Sequence, residues 1–184
     1  MIDAVVKVGG ALLELDDALT RTLSALELLT PTRALLIVPG GGPFADTIRT
    51  VDKKQSLTED DAHWMAILGM EQFAILLASK IRHAQLVQRH GEIVRAHAQG
   101  RIPVLAPYRW LREADPLPHT WDVTSDSIAA WAASAVGARQ LILIKPDAHD
   151  VLTVVDRYFD RARAPSMKYS ILTPALLTGN WFPE

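Results

Sequence analysis

Two lysines stand where short apolar runs end. Lys7 follows Ala4-Val5-Val6 and leads into Val8-Gly9-Gly10, and Lys145 directly follows Leu141-Ile142-Leu143-Ile144. An ammonium at the end of a buried strand is costly unless it is paired or meets an anion. The bland alternative for Lys7 is an edge lysine beside a tight turn. Three successive glycines in Pro39-Gly40-Gly41-Gly42-Pro43 follow a third apolar run. In a strand-to-helix turn, such glycines present N–H groups that suit an anion, although a merely flexible turn has the same composition. In Asp122-Val123-Thr124-Ser125-Asp126, Thr124 or Ser125 can cap the apolar helix that follows, and Asp126 can favour its start. Equally, Asp126 can position a lysine ammonium near a transferring phosphate. Lysines and a glycine loop at strand ends fit phosphoryl transfer, which needs positioning and positive charge more than covalent help.

Other chemistries are excluded or disfavoured. Neither glycine segment matches Gly-x-Gly-x-x-Gly or Gly-x-x-x-x-Gly-Lys-[Ser/Thr], which argues against a Rossmann dehydrogenase and a Walker-type NTPase. The chain has no cysteine, so disulfides, thiolate zinc sites and a cysteine nucleophile are out. The six histidines (His63, His83, His90, His97, His119 and His149) form no helical His-x-x-x-His pair. His119 stands out because it lies just before the Asp126 segment.

These residues need elements to hold them. Apolar runs at 5–8, 34–38, 102–106 and 140–144 read as strands, with a shorter one at 85–87. Helical spacing follows Asp16-Asp17 through Leu19, Leu23, Leu26 and Leu29, and further helices are expected over 44–51, 93–99 and 125–136. Thr58, followed by Glu59-Asp60-Asp61, predicts the start of a long helix through Trp64, Ile67, Leu68, Phe73 and Leu76. Its Trp64, Met65 and Met70 stripe reads as core or subunit interface. The tail suggests strands at 151–155 and 169–172 and a short helix at 174–177. Such alternation predicts an α/β fold, a three-layer αβα sandwich with a mostly parallel sheet that binds ligands beyond the carboxyl ends of its strands.

At 184 residues the chain is expected to form one domain. The net charge of -2 gives no basic excess that would point to nucleic acid. No apolar run approaches the roughly 20 residues of a membrane span, and the N-terminus lacks a secretory pattern, so a cytoplasmic protein is expected.

Taken in order, Lys7-Val8-Gly9-Gly10, Pro39-Gly40-Gly41-Gly42-Pro43-Phe44-Ala45 and Thr124-Ser125-Asp126-Ser127-Ile128-Ala129 resemble the amino acid kinase superfamily. His63 to Gln72 and Leu117 to Asp126 further resemble its small aminomethylfuran phosphate kinase branch, of methanofuran biosynthesis and one-carbon metabolism. The resemblance implies an ATP-dependent kinase, with Mg²⁺ travelling on the ATP and no dedicated metal cage. Its acceptor would be a small phosphomonoester, converted to a diphosphate.

By the same resemblance, Lys7 holds the transferring phosphoryl group, Gly9 and Gly10 cradle ATP phosphates, and Asp126 orients the lysines. Lys145 is a second phosphate lysine, with Asp147 beside it on the nucleotide side. Gly40, Gly41 and Gly42 bind the acceptor through N–H groups, with Pro43, Phe44, Thr124 and Ser125 on that side. An acceptor lobe of about 1–120 and a shortened nucleotide lobe of about 121–184 are implied. Lys145-Pro146-Asp147-Ala148-His149-Asp150 lacks the Asp-Gly pair usual in the superfamily. Two alternatives stay open: a non-catalytic nucleotide- or oxyanion-binding or storage protein on the same fold, and a kinase for a carboxylate or carbamate. Homo-oligomers are common in the superfamily, and the helix face with Trp64, Ile67, Phe73 and Leu76 is the expected interface.

Overall fold

Strands β1 (Ala4–Val8) and β2 (Leu35–Pro39) are buried at every residue, as central strands covered on both faces must be. The computed structural model describes residues 2–29, 32–146, 155–179 and 181–182. Its other strands are β3 (Ala84–Val87), β4 (Ile102–Leu105), β5 (Gln140–Ile144) and β6 (Lys168–Leu172). They form a sheet in the order β3-β4-β2-β1-β5-β6, and every pairing is parallel. The sheet is thus wholly rather than mostly parallel among the described residues. The expected strand at 151–155 falls almost entirely outside them.

The helices are α1 (Ala18–Leu29), α2 (Gly42–Gln55), α3 (Glu59–Lys80), α4 (His90–Ala98), α5 (Tyr108–Ala114), α6 (Ser125–Ala135) and the single turn α7 (Phe159–Ala162). Strand alternation separates two cores. Val5, Leu36, Val38, Leu141 and Leu143 face α6 and the first half of α3, while Val6, Val8, Ile37, Ile142 and Ile144 face α1 and the second half of α3. The alanines of α6 (Ala129, Ala130, Ala132 and Ala133) are fully buried, so this helix lies close on β1 and β5. Helix α5 has no counterpart in the sequence reading. It is only seven residues long, too short for apolar periodicity to reveal.

Helix α3 is long and apolar enough, by length and composition, to cross a bilayer. Here it packs on α2 and beside β2, β3 and β4. Thr58 caps it as expected, accepting a hydrogen bond from the Asp61 N–H at 3.1 Å. The expected subunit face needs correction. Ile67 and Phe73 are 1% and 0% exposed and belong to the cores. The exposed large apolar residues of α3 are Leu68 and Ile75.

The sheet order reverses direction at β1: the chain moves from β1 to β2 on one side, and β5 and β6 add on the other. Ligands of open α/β sheets bind at such a switch point, beyond the carboxyl ends of the strands. In register, Val8 lies beside Pro39 and Ile144. The Lys7 side chain, the two glycine loops and Lys145 therefore converge there.

Candidate active site

Lys7 shares its strand face with Val5, beneath α6, and Asp126 enters from the first turn of that helix. The Lys7 ammonium lies 3.0 Å from Asp126 Oδ1, and both side chains are buried. Lys145, one residue beyond β5, donates to Asp126 Oδ2 at 2.6 Å. One carboxylate thus sits between two ammonium groups. The Lys7 contact is an ion pair outside hydrogen-bond geometry, so Asp126 Oδ1 is buried without a hydrogen bond. Burial alone would raise the Asp126 pKa, but Lys7 and Lys145 outweigh it and hold the carboxyl below its usual range. For Lys145, burial and then the neighbouring Lys7 charge lower the pKa against the pull of Asp126. The two ammonium groups flank one carboxylate, and the Asp156 charge also acts on Lys145. A phosphate group fits this arrangement.

The glycine loops serve each other as much as any ligand. Gly9 donates its N–H to Ile144 O at 2.9 Å, and Gly40 donates to Val8 O at 2.8 Å. These bonds extend the ladders past the strand ends. The expectation that Gly40 offers its N–H to an acceptor is thereby corrected. Gly10 and Gly42 meet backbone to backbone: a Cβ on Gly10 would come within 2.3 Å of Gly42 N. Gly42 also has φ +51°, a conformation that side chains resist. Gly41 and Gly42 open α2, where N–H groups have no intrahelical acceptor.

Helix α6 is not capped by Thr124 or Ser125. Asp156, from beyond β5, does this work. Its Oδ2 accepts from Thr124 N–H at 2.8 Å, the Thr124 hydroxyl at 2.8 Å and Ser127 N–H at 3.0 Å, and its Oδ1 accepts from the Ser127 hydroxyl. A carboxylate at the helix start suits the dipole and pins the turn that carries Asp126. Nothing local could reveal a cap 30 residues away.

A cavity of about 200 Å³ opens beside Gly41 and Gly42, between α2, α3 and the segment before α6. Of the residues expected on the acceptor side, it is lined by Gly41, Gly42, Thr124 and Ser125; Gly40, Pro43 and Phe44 are not in its wall. Phe44 packs against the α1 core, and the Pro43 carbonyl accepts from Thr47. Ala62, Ala66, Ile67 and Met70 form an apolar floor.

The sequence reading missed the polar rim. Asp46, Arg49 and Asp52 lie on one face of α2, at spacings of three that could have flagged them. Trp121 closes the wall: its indole N–H donates to Asp52 Oδ2 at 2.7 Å, and the Arg49 guanidinium lies 4.4 Å from its ring centroid. Glu59 and His63 complete the rim. His63 is mainly desolvated and faces the His119 charge, which together lower its pKa to about 4, so it is neutral at pH 7. Asp147 lies outside the described residues. No group of three or more histidine or acidic side chains that could hold a metal occurs among the described residues.

Among the described residues a wholly parallel sheet brings two lysines and a shared aspartate to its switch point, an arrangement that suits an anionic group. The profile of the amino acid kinase family matches residues 4–170, and the chain belongs to that family. A curated relative, [5-(aminomethyl)furan-3-yl]methyl phosphate kinase of Methanocaldococcus jannaschii, is 27% identical over 154 residues, covering 84% of this chain and 68% of the relative. The fold is similar to that of uridylate kinase from Archaeoglobus fulgidus, with TM-score 0.62 and 18% identity over 79% of this chain. It is also similar to UMP kinase from Ureaplasma parvum, with TM-score 0.67 and 15% identity over 92% of this chain and 88% of that one. This chain spans 64% of the Archaeoglobus chain, less than two thirds of its length.

Proposed function

We propose that this protein is an ATP-dependent kinase that converts a small phosphomonoester into a diphosphate. The observation that carries the reading is Asp126 shared by Lys7 and Lys145 at the switch point, with a cavity opening beside the start of α2. In the reaction, an oxygen of the acceptor phosphate forms a bond to the γ-phosphorus of Mg²⁺-bound ATP while the bridging P–O bond breaks and ADP leaves. Lys7 and Lys145 hold the equatorial oxygens, where negative charge is concentrated, and Asp126 keeps both ammonium groups in place. The N–H groups of Gly41 and Gly42 and the α2 dipole hold the acceptor phosphate. Gly9 and Gly10 shape the loop over the nucleotide phosphates.

The cavity and the relative support one class of acceptor. The cavity volume is below the range of about 300–1,000 Å³ that holds drug-sized ligands. Its rim sets Asp46, Asp52 and Glu59 against one guanidinium, that of Arg49, with His63 neutral. A molecule with a phosphate at one end and a cation at the other suits this polarity, and an aminomethylfuran-methyl phosphate has that form. An acceptor with a second anionic end, such as an acylated acidic amino acid, does not suit it. We therefore favour a role in methanofuran biosynthesis over a carboxylate kinase.

The test is ADP release by the purified protein with ATP·Mg²⁺ and, in turn, [5-(aminomethyl)furan-3-yl]methyl phosphate, UMP and N-acetylglutamate. Turnover with the first compound in preference to the others is expected. Tight ATP binding with no turnover on any phosphomonoester would replace the kinase reading with a binding protein on the same fold.

A further inference from the structure

His119 has both ring nitrogens on carboxylates. Nδ1 lies 2.6 Å from Asp60 Oδ1 in the first turn of α3, and Nε2 lies 2.9 Å from Asp115 Oδ1 just after α5. Ionised carboxylates only accept, so both nitrogens must donate, and the ring that satisfies this geometry is the imidazolium. Burial by itself would lower the His119 pKa, but the hydrogen bonds and charges of Asp60 and Asp115 outweigh it and the net shift is upward.

The surroundings hold the ring on its faces and edges. His63 of α3 stacks on His119 at 4.2 Å with an interplanar angle of 17°. Trp64 meets both rings edge-on, with Tyr108 of α5 at its own edge and Arg112 of α5 at 4.5 Å from its ring. Asp60, Asp115 and His63 are thus the charged and titratable groups that meet the ring directly, with Tyr108 and Arg112 one step away across Trp64. The His119 side chain itself is only 17% exposed.

Position gives this clasp a consequence. Thr120, Trp121, Val123, Thr124 and Ser125 follow His119 directly and line the cavity, and Asp126 comes next. We propose that His119 is a positioning residue for the acceptor: its doubly paired imidazolium holds residues 116–124 against α3, and losing the proton loosens the wall carried by Trp121. Neutral imidazole keeps one N–H, so one carboxylate then faces a lone pair. The inference rests on the cavity being the acceptor site, and it makes acceptor affinity fall as pH rises through the His119 pKa.

Three measurements test it together. Ring ¹⁵N shifts should report both His119 nitrogens protonated at pH 7.5; a neutral tautomer there overturns the proposal. Amide exchange over 116–124 should quicken about tenfold in His119→Asn and stay within about threefold of wild type in His119→Arg, whose guanidinium can still bridge two carboxylates. With [5-(aminomethyl)furan-3-yl]methyl phosphate as probe, KM should rise about tenfold in His119→Asn with kcat within about twofold. Wild-type KM should climb at alkaline pH while that of His119→Arg stays flat. Unchanged exchange and KM in His119→Asn overturns the proposal. A wild type that releases no ADP, while exchange over 116–124 still depends on residue 119, overturns the kinase reading and leaves the clasp.

Discussion

The molecule carries two charged constellations of opposite arithmetic. At the strand ends, one carboxylate, Asp126, is shared by two ammonium groups, Lys7 and Lys145. Just before the segment that walls the cavity, one imidazolium, His119, is shared by two carboxylates, Asp60 and Asp115. The first is largely buried, with the Asp156 charge also acting on Lys145. The second keeps its carboxylates largely exposed, where water offsets the extra negative charge. A buried cluster with two cations at the strand ends suits an anionic ligand, whereas an exposed cluster can be complete as it stands. The lysines are accordingly read as chemistry and the histidine as support.

The strongest way to break that comparison is Lys7→Ala. If the lysines act on a transferring phosphoryl group, kcat should fall about 10³-fold, about 4 kcal/mol of transition-state stabilisation. Thermal stability should hold, because Lys145 still pairs Asp126. Steady-state kinetics and a melting curve on one sample decide it. A melting point that collapses while kcat per folded molecule is unchanged would make the strand-end cluster structural.

The next largest effect is expected at Gly10. A Cβ there meets the backbone of Gly42, which cannot swing aside as a side chain would. Gly10→Ala should cost about 3 kcal/mol in denaturant unfolding, the upper end for overpacking. Gly91→Ala is the contrast: it lies in α4 with nothing near its missing Cβ, and alanine should stabilise by about 0.5–1 kcal/mol. Equal effects at the two glycines would mean that the glycine loops are not interlocked.

Trp121→Phe sharpens the acceptor side. The phenyl ring keeps most of the apolar wall but loses the 2.7 Å hydrogen bond to Asp52. Acceptor KM should rise about fivefold, or about 1 kcal/mol, with kcat little changed. A drop in kcat at constant KM would put Trp121 nearer the chemistry than the rim.

Lys7, Lys145, Asp126 and the glycine loops were legible because strand ends and helix starts leave local marks: an apolar run that stops, a lysine, glycines, a capping residue. The long α3 and the central strands were legible for the same reason. What was hidden depends on contacts far along the chain. The Asp156 cap on α6, the Asp60–His119–Asp115 clasp and the Trp121–Asp52 bond each join segments that no periodicity connects. Gly40 shows the converse limit. Its composition suited an anion, but the sheet register had already claimed its N–H. Ile67 and Phe73 belong to the same lesson: an apolar helix face reads alike whether it meets a partner or its own core.

The smallest expected effect concerns the stacked histidines, whose pKa values move apart. His63 falls to about 4 in the folded protein, below its ordinary 6.5. The unfolded chain therefore binds the proton more tightly, and this contribution to stability is fully present above pH 6.5 and is lost as pH falls toward 4. His119 moves the other way: its contribution is fully present below 6.5 and is lost as pH rises through its raised folded value. Both contributions are limited by partial exposure to solvent, so a shallow decline on each side is expected rather than a sharp transition. Chemical denaturation from pH 4 to 9 should show it, with His63→Asn flattening the acid side, and His119→Asn flattening the alkaline side and, more weakly, the acid side, because the His119 charge is the second cause of the low His63 value after burial. If His119→Asn leaves the alkaline side unchanged, the assignment of charged His119 to the clasp fails.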